Sequence, residues 1–135
     1  KEYSSEENKT TLKQLKWNQS ENEVKKYLEN AMISYSYDRE WNLAMEVDDG
    51  RYDFYFDDSG RLKSIATYEM SSRDGTFSIG MSEQAIEQIT GEMLEKTSGD
   101  FGVVYWCPHS IDDIYYGFSI FDGKVTGIYE SEEML

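Results

Sequence analysis

An internal repeat constrains the fold of this chain more than any other feature of its sequence. Residues 15–28 and 77–90 lie 62 positions apart, and each alternates apolar and polar residues before Ser-Glu and a helical apolar stripe. Ser20 and Ser82 are predicted to begin a short helix in each copy, because a serine hydroxyl accepts hydrogen bonds from the free amides of the first turn. Glu23 completes a capping box in the first copy only.

Each predicted helix is followed by three segments of strand-like composition. These segments lie in 34–47, 52–56 and 61–68 of the first copy and in 101–107, 116–120 and 124–129 of the second. A short turn joins the last two segments of each copy, and the turn at Asp122-Gly123 is a strongly preferred hairpin dipeptide. A copy of about 60 residues is too small for a comfortable core of its own, so the two copies are expected to share one core.

We therefore predict an α+β fold of two tandem αβββ repeats, at about 15–72 and 73–135. The repeats are expected to form one antiparallel sheet with both helices packed on one face. Residues 1–14 are predicted to be a polar N-terminal tether. Because this polar segment starts at Lys1 without a methionine, we expect an extracellular or cell-envelope protein, with or without a lipid anchor upstream of Lys1.

The alternation of the predicted strands leaves aromatic residues on the face without helices. The predicted inward residues are Tyr52, Phe54, Phe56, Tyr116, Phe118 and Ile120. The residues that alternate with this inward set then point outward, and they are Asp53, Tyr55, Asp57, Tyr115 and Phe121. The return strands add further outward residues, either Tyr68 or Ile65 and either Tyr129 or Ile128, depending on the register. A β-bulge or a covering loop would explain such a face, and so would a recognition surface.

The chain is strongly acidic, with 13 Lys and Arg against 27 Asp and Glu and a formal net charge of −14. This charge disfavours binding to nucleic acid and to anionic lipid, both of which need a basic surface. No apolar run is long enough to span a membrane. The acidity lies in the body of the chain, since residues 1–16 carry a net charge of +1. It serves solubility, or it selects a basic partner.

Residues that could support catalysis or metal binding do not form a recognisable constellation. Cys107 and His109 flank Pro108, but cysteine nucleophiles usually receive their histidine from a distant segment. We therefore expect a buried cysteine beside a surface histidine. Aspartate pairs such as Asp57-Asp58 are better suited to turns than to a calcium loop. No phosphate-binding loop or nucleophile elbow is present, and we predict no catalytic residue, no metal site and no cofactor.

Two motifs carry a resemblance to a known family. The run Phe77-Ser-Ile-Gly-Met-Ser-Glu83 and the hairpin Phe121-Asp-Gly-Lys-Val125 resemble the β-lactamase-inhibitor-protein-like tandem-repeat family of small exported bacterial proteins and lipoproteins. The pattern covers most of residues 15–131, but the first copy has Trp17-Asn18-Gln19 in place of Ile-Gly-Met. The resemblance implies an exported protein that binds other proteins and is not an enzyme.

The sequence thus predicts a non-enzymatic extracytoplasmic module that binds another protein, of basic character, through an aromatic and acidic sheet face. The expected contact residues are Trp41, Asp53, Tyr55, Asp57, Trp106, Tyr115 and Phe121. Three alternatives stay open: a dedicated inhibitor or immunity protein of a basic enzyme, a structural module of a larger surface protein, and a hydrolase that uses the acidic clusters. The identity of the partner and the oligomeric state are not predicted.

Overall fold

A computed structural model describes residues 12, 14–38, 44–47, 52–99 and 102–133 of the chain. This part of the chain forms two helices, α1 (Glu21–Asn30) and α2 (Glu83–Thr90), and four strands follow each helix. The strands after α1 are β1 (Tyr35–Asp38), β2 (Ala44–Val47), β3 (Tyr52–Phe56) and β4 (Leu62–Thr67). Those after α2 are β5 (Glu95–Gly99), β6 (Gly102–Trp106), β7 (Tyr115–Phe121) and β8 (Lys124–Ser131).

The eight strands form one antiparallel sheet in the order β1-β2-β3-β4-β8-β7-β6-β5. The last strands of the two halves pair at the centre, with Ile65 opposite Glu130 and Ala66 opposite Tyr129. The predicted α+β class and the single antiparallel sheet are therefore confirmed. The prediction of three strands in each half was wrong, because segment 34–47 contains two strands and the polar segment Glu95–Gly99 forms an edge strand.

Both helices begin at the predicted serine caps. The Ser20 hydroxyl accepts a hydrogen bond from the Glu23 amide at 3.2 Å, and the Glu23 carboxylate accepts one from the Ser20 amide at 3.1 Å. In α2 the Ser82 hydroxyl accepts from the Ala85 amide at 3.1 Å. Neither described helix is long and apolar enough to cross a membrane.

Two apolar cores lie on the same face of the sheet, each under one helix. The first core joins Val24 and Leu28 of α1 to Tyr52, Phe54 and Phe56 of β3. The second core joins Ile86 of α2 to Tyr116 and Phe118 of β7, and Ile120 packs against it. The register runs from Phe54 through Ile65 and Glu130 to Tyr116, and residues paired across strands point to the same face. The predicted inward set and the placement of both helices on one face thus agree with the structure.

A buried ion pair lies between the two cores, where the connection between the halves crosses the sheet. Arg73 donates from Nε to Glu130 Oε1 at 2.9 Å, and both side chains are less than 5% exposed. The Arg73 amide donates to Glu130 Oε2 at 3.0 Å, and Arg73 Nη1 donates to the Leu12 carbonyl at 2.8 Å. Leu12 itself is fully buried, so the folded domain includes a residue that the sequence assigned to the tether. The remainder of the predicted tether up to residue 11, and residue 13, lie outside the described residues.

Candidate functional site

The candidate site is the face of the sheet that neither described helix covers, called the open face below. Two rows of side chains can be placed on it from the strand register. One row runs from Tyr55 through Ser64 and Ser131 to Tyr115. The second row runs through Asp53, Ala66, Tyr129, Gly117 and Trp106. The open face therefore collects four of the residues predicted to contact a partner, namely Asp53, Tyr55, Trp106 and Tyr115.

The centre of the open face is a third apolar core. Ala66, Val104, Trp106 and Tyr129 are buried together there, and Tyr55 and Tyr115 pack against them while staying partly exposed. Trp106 is fully buried, and its indole Nε1 donates a hydrogen bond to Thr97 Oγ1 at 2.9 Å. Trp106 therefore supports the open face from within and offers no surface to a partner, which corrects its predicted role as a contact residue.

The Trp106 ring can lie against the sheet because residue 117 is glycine. A Cβ atom at Gly117 would come within 2.7 Å of a ring carbon of Trp106 and within 2.8 Å of Val104 Cγ1. Real Cβ contacts are never this close, since such overlap forces neighbouring atoms apart. The absence of a side chain at Gly117 is thus what makes room for the core of the open face.

Both return strands contain a β-bulge, at equivalent places in the two halves. The pairing of β3 with β4 skips Lys63, and the pairing of β7 with β8 skips Thr126. A bulge inserts one extra residue and shifts the alternation of one strand, so Leu62 and Ile65 both point into the first core although they are three residues apart. The β-bulge that the sequence analysis considered is therefore present in both halves.

Asp57 contributes to a turn. Its Oδ1 accepts hydrogen bonds from the amides of Ser59 at 2.9 Å and Arg61 at 3.0 Å. The hydrogen bond from the Arg61 amide and then that from the Ser59 amide lower the pKa of the Asp57 carboxyl below its usual value. One carboxylate oxygen of Asp57 is thus committed to shaping the β3–β4 hairpin, in agreement with the turn predicted at Asp57-Asp58.

Among the predicted contact residues that the structure describes, Phe121 is the most exposed. It lies at the tip of the β7–β8 hairpin, opposite Lys124, and is 76% exposed. The turn that follows places Asp122 and Gly123 at φ values of 53° and 74°, as a two-residue hairpin with a left-handed backbone requires. Asp53, Tyr55 and Tyr115 are half-buried. Trp41 lies outside the described residues.

Tyr68 is a residue of the open face that was not among the predicted contacts. Its ring lies over Gly127, where a Cβ atom would come within 3.0 Å of two ring carbons. It packs edge-on against Tyr129 with ring centroids 6.0 Å apart, yet it remains 44% exposed. The pKa of the Tyr68 hydroxyl is raised, mainly because the group is partly buried. A hydrogen bond with Tyr129 and the negative charge of Asp53 raise it further. The sequence left Tyr68 undecided because the bulge hid the register of β4.

The exposed positions of the open face span a wide area. Tyr55 and Tyr115 are three strands apart, which corresponds to about 14 Å. Phe121 lies six residues along β7 from Tyr115, or about 20 Å. A standard protein interface covers about 800 Å² on each partner, which is a patch roughly 30 Å across. One protein partner can therefore reach all three residues, whereas a small ligand cannot.

Cys107 and His109 do not form an activated nucleophile. Cys107 is 2% exposed, and burial raises the pKa of its thiol to about 11. His109 is well exposed and its Nδ1 lies 2.7 Å from Glu92 Oε2. This is the buried cysteine beside a surface histidine that the sequence indicated. Within the described ranges, no three His, Cys, Asp or Glu side chains are grouped so that they could hold a metal ion.

Comparison of the chain with family models, with curated proteins and with solved structures gives no match in any of the three. The family resemblance of the two motifs remains a prediction, and the function is argued below from the residues of the open face.

Proposed function

We propose that this chain is a non-enzymatic, extracytoplasmic protein-binding module whose open face contacts a basic protein. The observation that carries the proposal is the third core on a face without a helix. That core holds Tyr55 and Tyr115 partly exposed at its margin, and Tyr68 packs on its Tyr129 while staying accessible. Accessible aromatic rings of this kind are enriched at protein interfaces.

Phe121 would act as the anchor of this interface. Phe121 is 76% exposed, and its backbone is already paired with Lys124 at the end of the hairpin, so binding through its ring orders little additional backbone. Aromatic side chains that fill a pocket on a partner commonly dominate the energetics of an interface. The distance from Phe121 to Tyr55 is too long for a small ligand and therefore requires a polypeptide partner.

The charge of the chain supports a basic partner. The net charge of −14 creates a negative potential that accelerates encounter with a positively charged protein and disfavours self-association through the same face.

We further propose that the two halves are tandem repeats of one unit, with a helix and four strands in each. The same order of elements and the same position of the bulge in the last strand support this. The exported location is proposed on the resemblance of the two motifs alone.

The proposal is tested by affinity capture from envelope and secreted fractions of the source organism at low and high salt. The baits are the wild-type chain and the single variants Phe121→Ala and Tyr55→Ala. The control is Met93→Ala, because Met93 is 80% exposed but lies in the connection between α2 and β5, away from the open face.

A single protein captured by the wild type and by Met93→Ala, lost with Phe121→Ala and Tyr55→Ala, and weakened at high salt would support the proposal. Capture that survives both open-face variants would place the interface elsewhere and overturn it. The absence of any captured protein in all fractions would count against a binding module and in favour of a structural role.

A further inference from the structure

Four residues from three central strands converge on the open face around the small side chain of Ala66. They are Asp53 and Tyr55 of β3, Tyr68 directly after β4, and Tyr129 of β8, and we call them the Tyr–Asp corner. Ala66 pairs with Asp53 on one side and with Tyr129 on the other. Tyr68 lies two residues after Ala66 and therefore points to the same face.

The polar ends of the corner lie close together. Tyr68 forms a hydrogen bond with Tyr129, and its hydroxyl interacts with the negative charge of Asp53. The Tyr68 ring lies close to Gly127 and packs at 78° to the Tyr129 ring, while 44% of the residue stays accessible. The corner thus combines an accessible aromatic ring with a nearby carboxylate.

This combination matches the chemistry of a basic side chain. The face of an aromatic ring attracts a cation because of its quadrupole, and the aliphatic stem of lysine or arginine packs on the same ring. A carboxylate adjacent to the ring pairs with the charged head. An acidic ligand would instead meet Asp53 and the net negative charge of the chain.

We propose that the Tyr–Asp corner holds a lysine or arginine side chain of the protein partner. The aliphatic stem of that side chain would pack on the Tyr68 ring, and its charged head would lie at Asp53. This inference rests on the proposed function, because it specifies which part of the open face recognises the basic character of the partner. Phe121 lies at the far end of the same face and would supply the apolar anchor.

The probes are Nα-acetyl-arginine amide and Nα-acetyl-lysine amide, titrated into the ¹⁵N-labelled chain and followed by NMR. The neutral Nα-acetyl-glutamine amide, with sodium chloride added to equal ionic strength, is the reference ligand. We expect saturable shifts with the two basic probes, centred on the amides of residues 53–55 and 66–68, and none with the glutamine probe.

Four variants assign the effect to the corner. Asp53→Asn and Tyr68→Leu are each expected to weaken probe binding by about threefold or more, the scale of a partly exposed ion pair or cation–π contact. Tyr68→Phe keeps the ring and is expected to retain most of the affinity. The controls are Asp58→Asn, in the exposed turn after β3, and Tyr105→Leu, whose register partner Phe118 points into the second core on the opposite face.

Shifts spread over the whole acidic surface, or unchanged in Asp53→Asn and Tyr68→Leu, would overturn the inference, and so would the absence of shifts. Asp53→Asn is nearly isosteric and Tyr68→Phe removes one atom, so a folding defect does not obscure the result. If Phe121→Ala abolishes capture of a partner while Asp53→Asn and Tyr68→Leu leave it unchanged, the proposed function stands and the corner inference fails.

Discussion

At the scale of single residues, two glycines decide how the open face is built. Gly117 makes room for the Trp106 ring and Gly127 makes room for the Tyr68 ring. Neither has a positive φ, so both are required for space and not for backbone conformation. The two rings nevertheless differ in solvent exposure, because Trp106 is fully buried and Tyr68 is 44% exposed.

Gly117→Ala is expected to destabilise the fold by about 1–3 kcal/mol, the usual cost of overpacking a core. The new Cβ atom would overlap with Trp106 and Val104, which have no free space to move into. Gly127→Ala is the matched control, and it should cost less because its neighbours are the Ser119 hydroxyl and the accessible ring of Tyr68. Urea unfolding followed by circular dichroism measures both, and equal losses would contradict the account given for Trp106.

At the scale of elements, the sequence predicted the helices and the inner strands because their residues carry local signals. Ser20, Ser82 and the alternation of Tyr52, Phe54 and Phe56 act over a few residues and are visible without tertiary structure. Strand β5 gave no signal, since an edge strand with accessible polar residues has little apolar alternation. Burial of Trp106 was equally invisible, because it depends on Gly117 eleven residues later in the chain.

The three-residue spacing of inward residues was the one overlooked signal. Leu62 and Ile65, like Val125 and Ile128, are apolar pairs whose spacing is incompatible with regular alternation in a strand. Reading this spacing as a β-bulge would have fixed the register of both return strands. Tyr68 would then have been placed on the open face from the sequence alone.

The two helix caps provide a test at this scale. Ser20→Ala removes one side of a reciprocal capping box, whereas Ser82→Ala removes a single hydrogen bond. We expect a loss of about 1–2 kcal/mol for Ser20→Ala and about 0.5–1 kcal/mol for Ser82→Ala. Thermal and urea unfolding measure the difference, and an equal or reversed order would show that the box adds nothing in α1.

At the scale of the whole molecule, the buried pair of Arg73 and Glu130 ties the two halves together. Arg73 belongs to the connection between the halves, Glu130 belongs to the central strand β8, and Arg73 also holds the carbonyl of Leu12. Removing one partner of a buried pair leaves an uncompensated charge or an orphaned donor. The unfolding of the two halves should therefore be one cooperative event.

Glu130→Gln is expected to lower the free energy of unfolding by about 3–5 kcal/mol, as for other buried pairs that lose one charge. The control is Glu132→Gln, since Glu132 pairs with Lys63 at 2.7 Å near the surface and should cost about 1 kcal/mol or less. Tryptophan fluorescence and circular dichroism report the transition together. A loss for Glu130→Gln no larger than that for Glu132→Gln would contradict a stabilising role of the buried pair.

The contact between Asn18 and Glu132 has a consequence for how the domain would sit within a longer protein. Asn18 Nδ2 donates to Glu132 Oε1 at 2.9 Å, and Arg73 bonds both Glu130 and the Leu12 carbonyl, so early and late residues of the described chain lie close together. The sheet is eight strands wide, or about 34 Å from edge to edge. A polypeptide that reached residue 14 and continued from residue 133 would do so at neighbouring points, so the domain would project to one side and add little to the end-to-end distance.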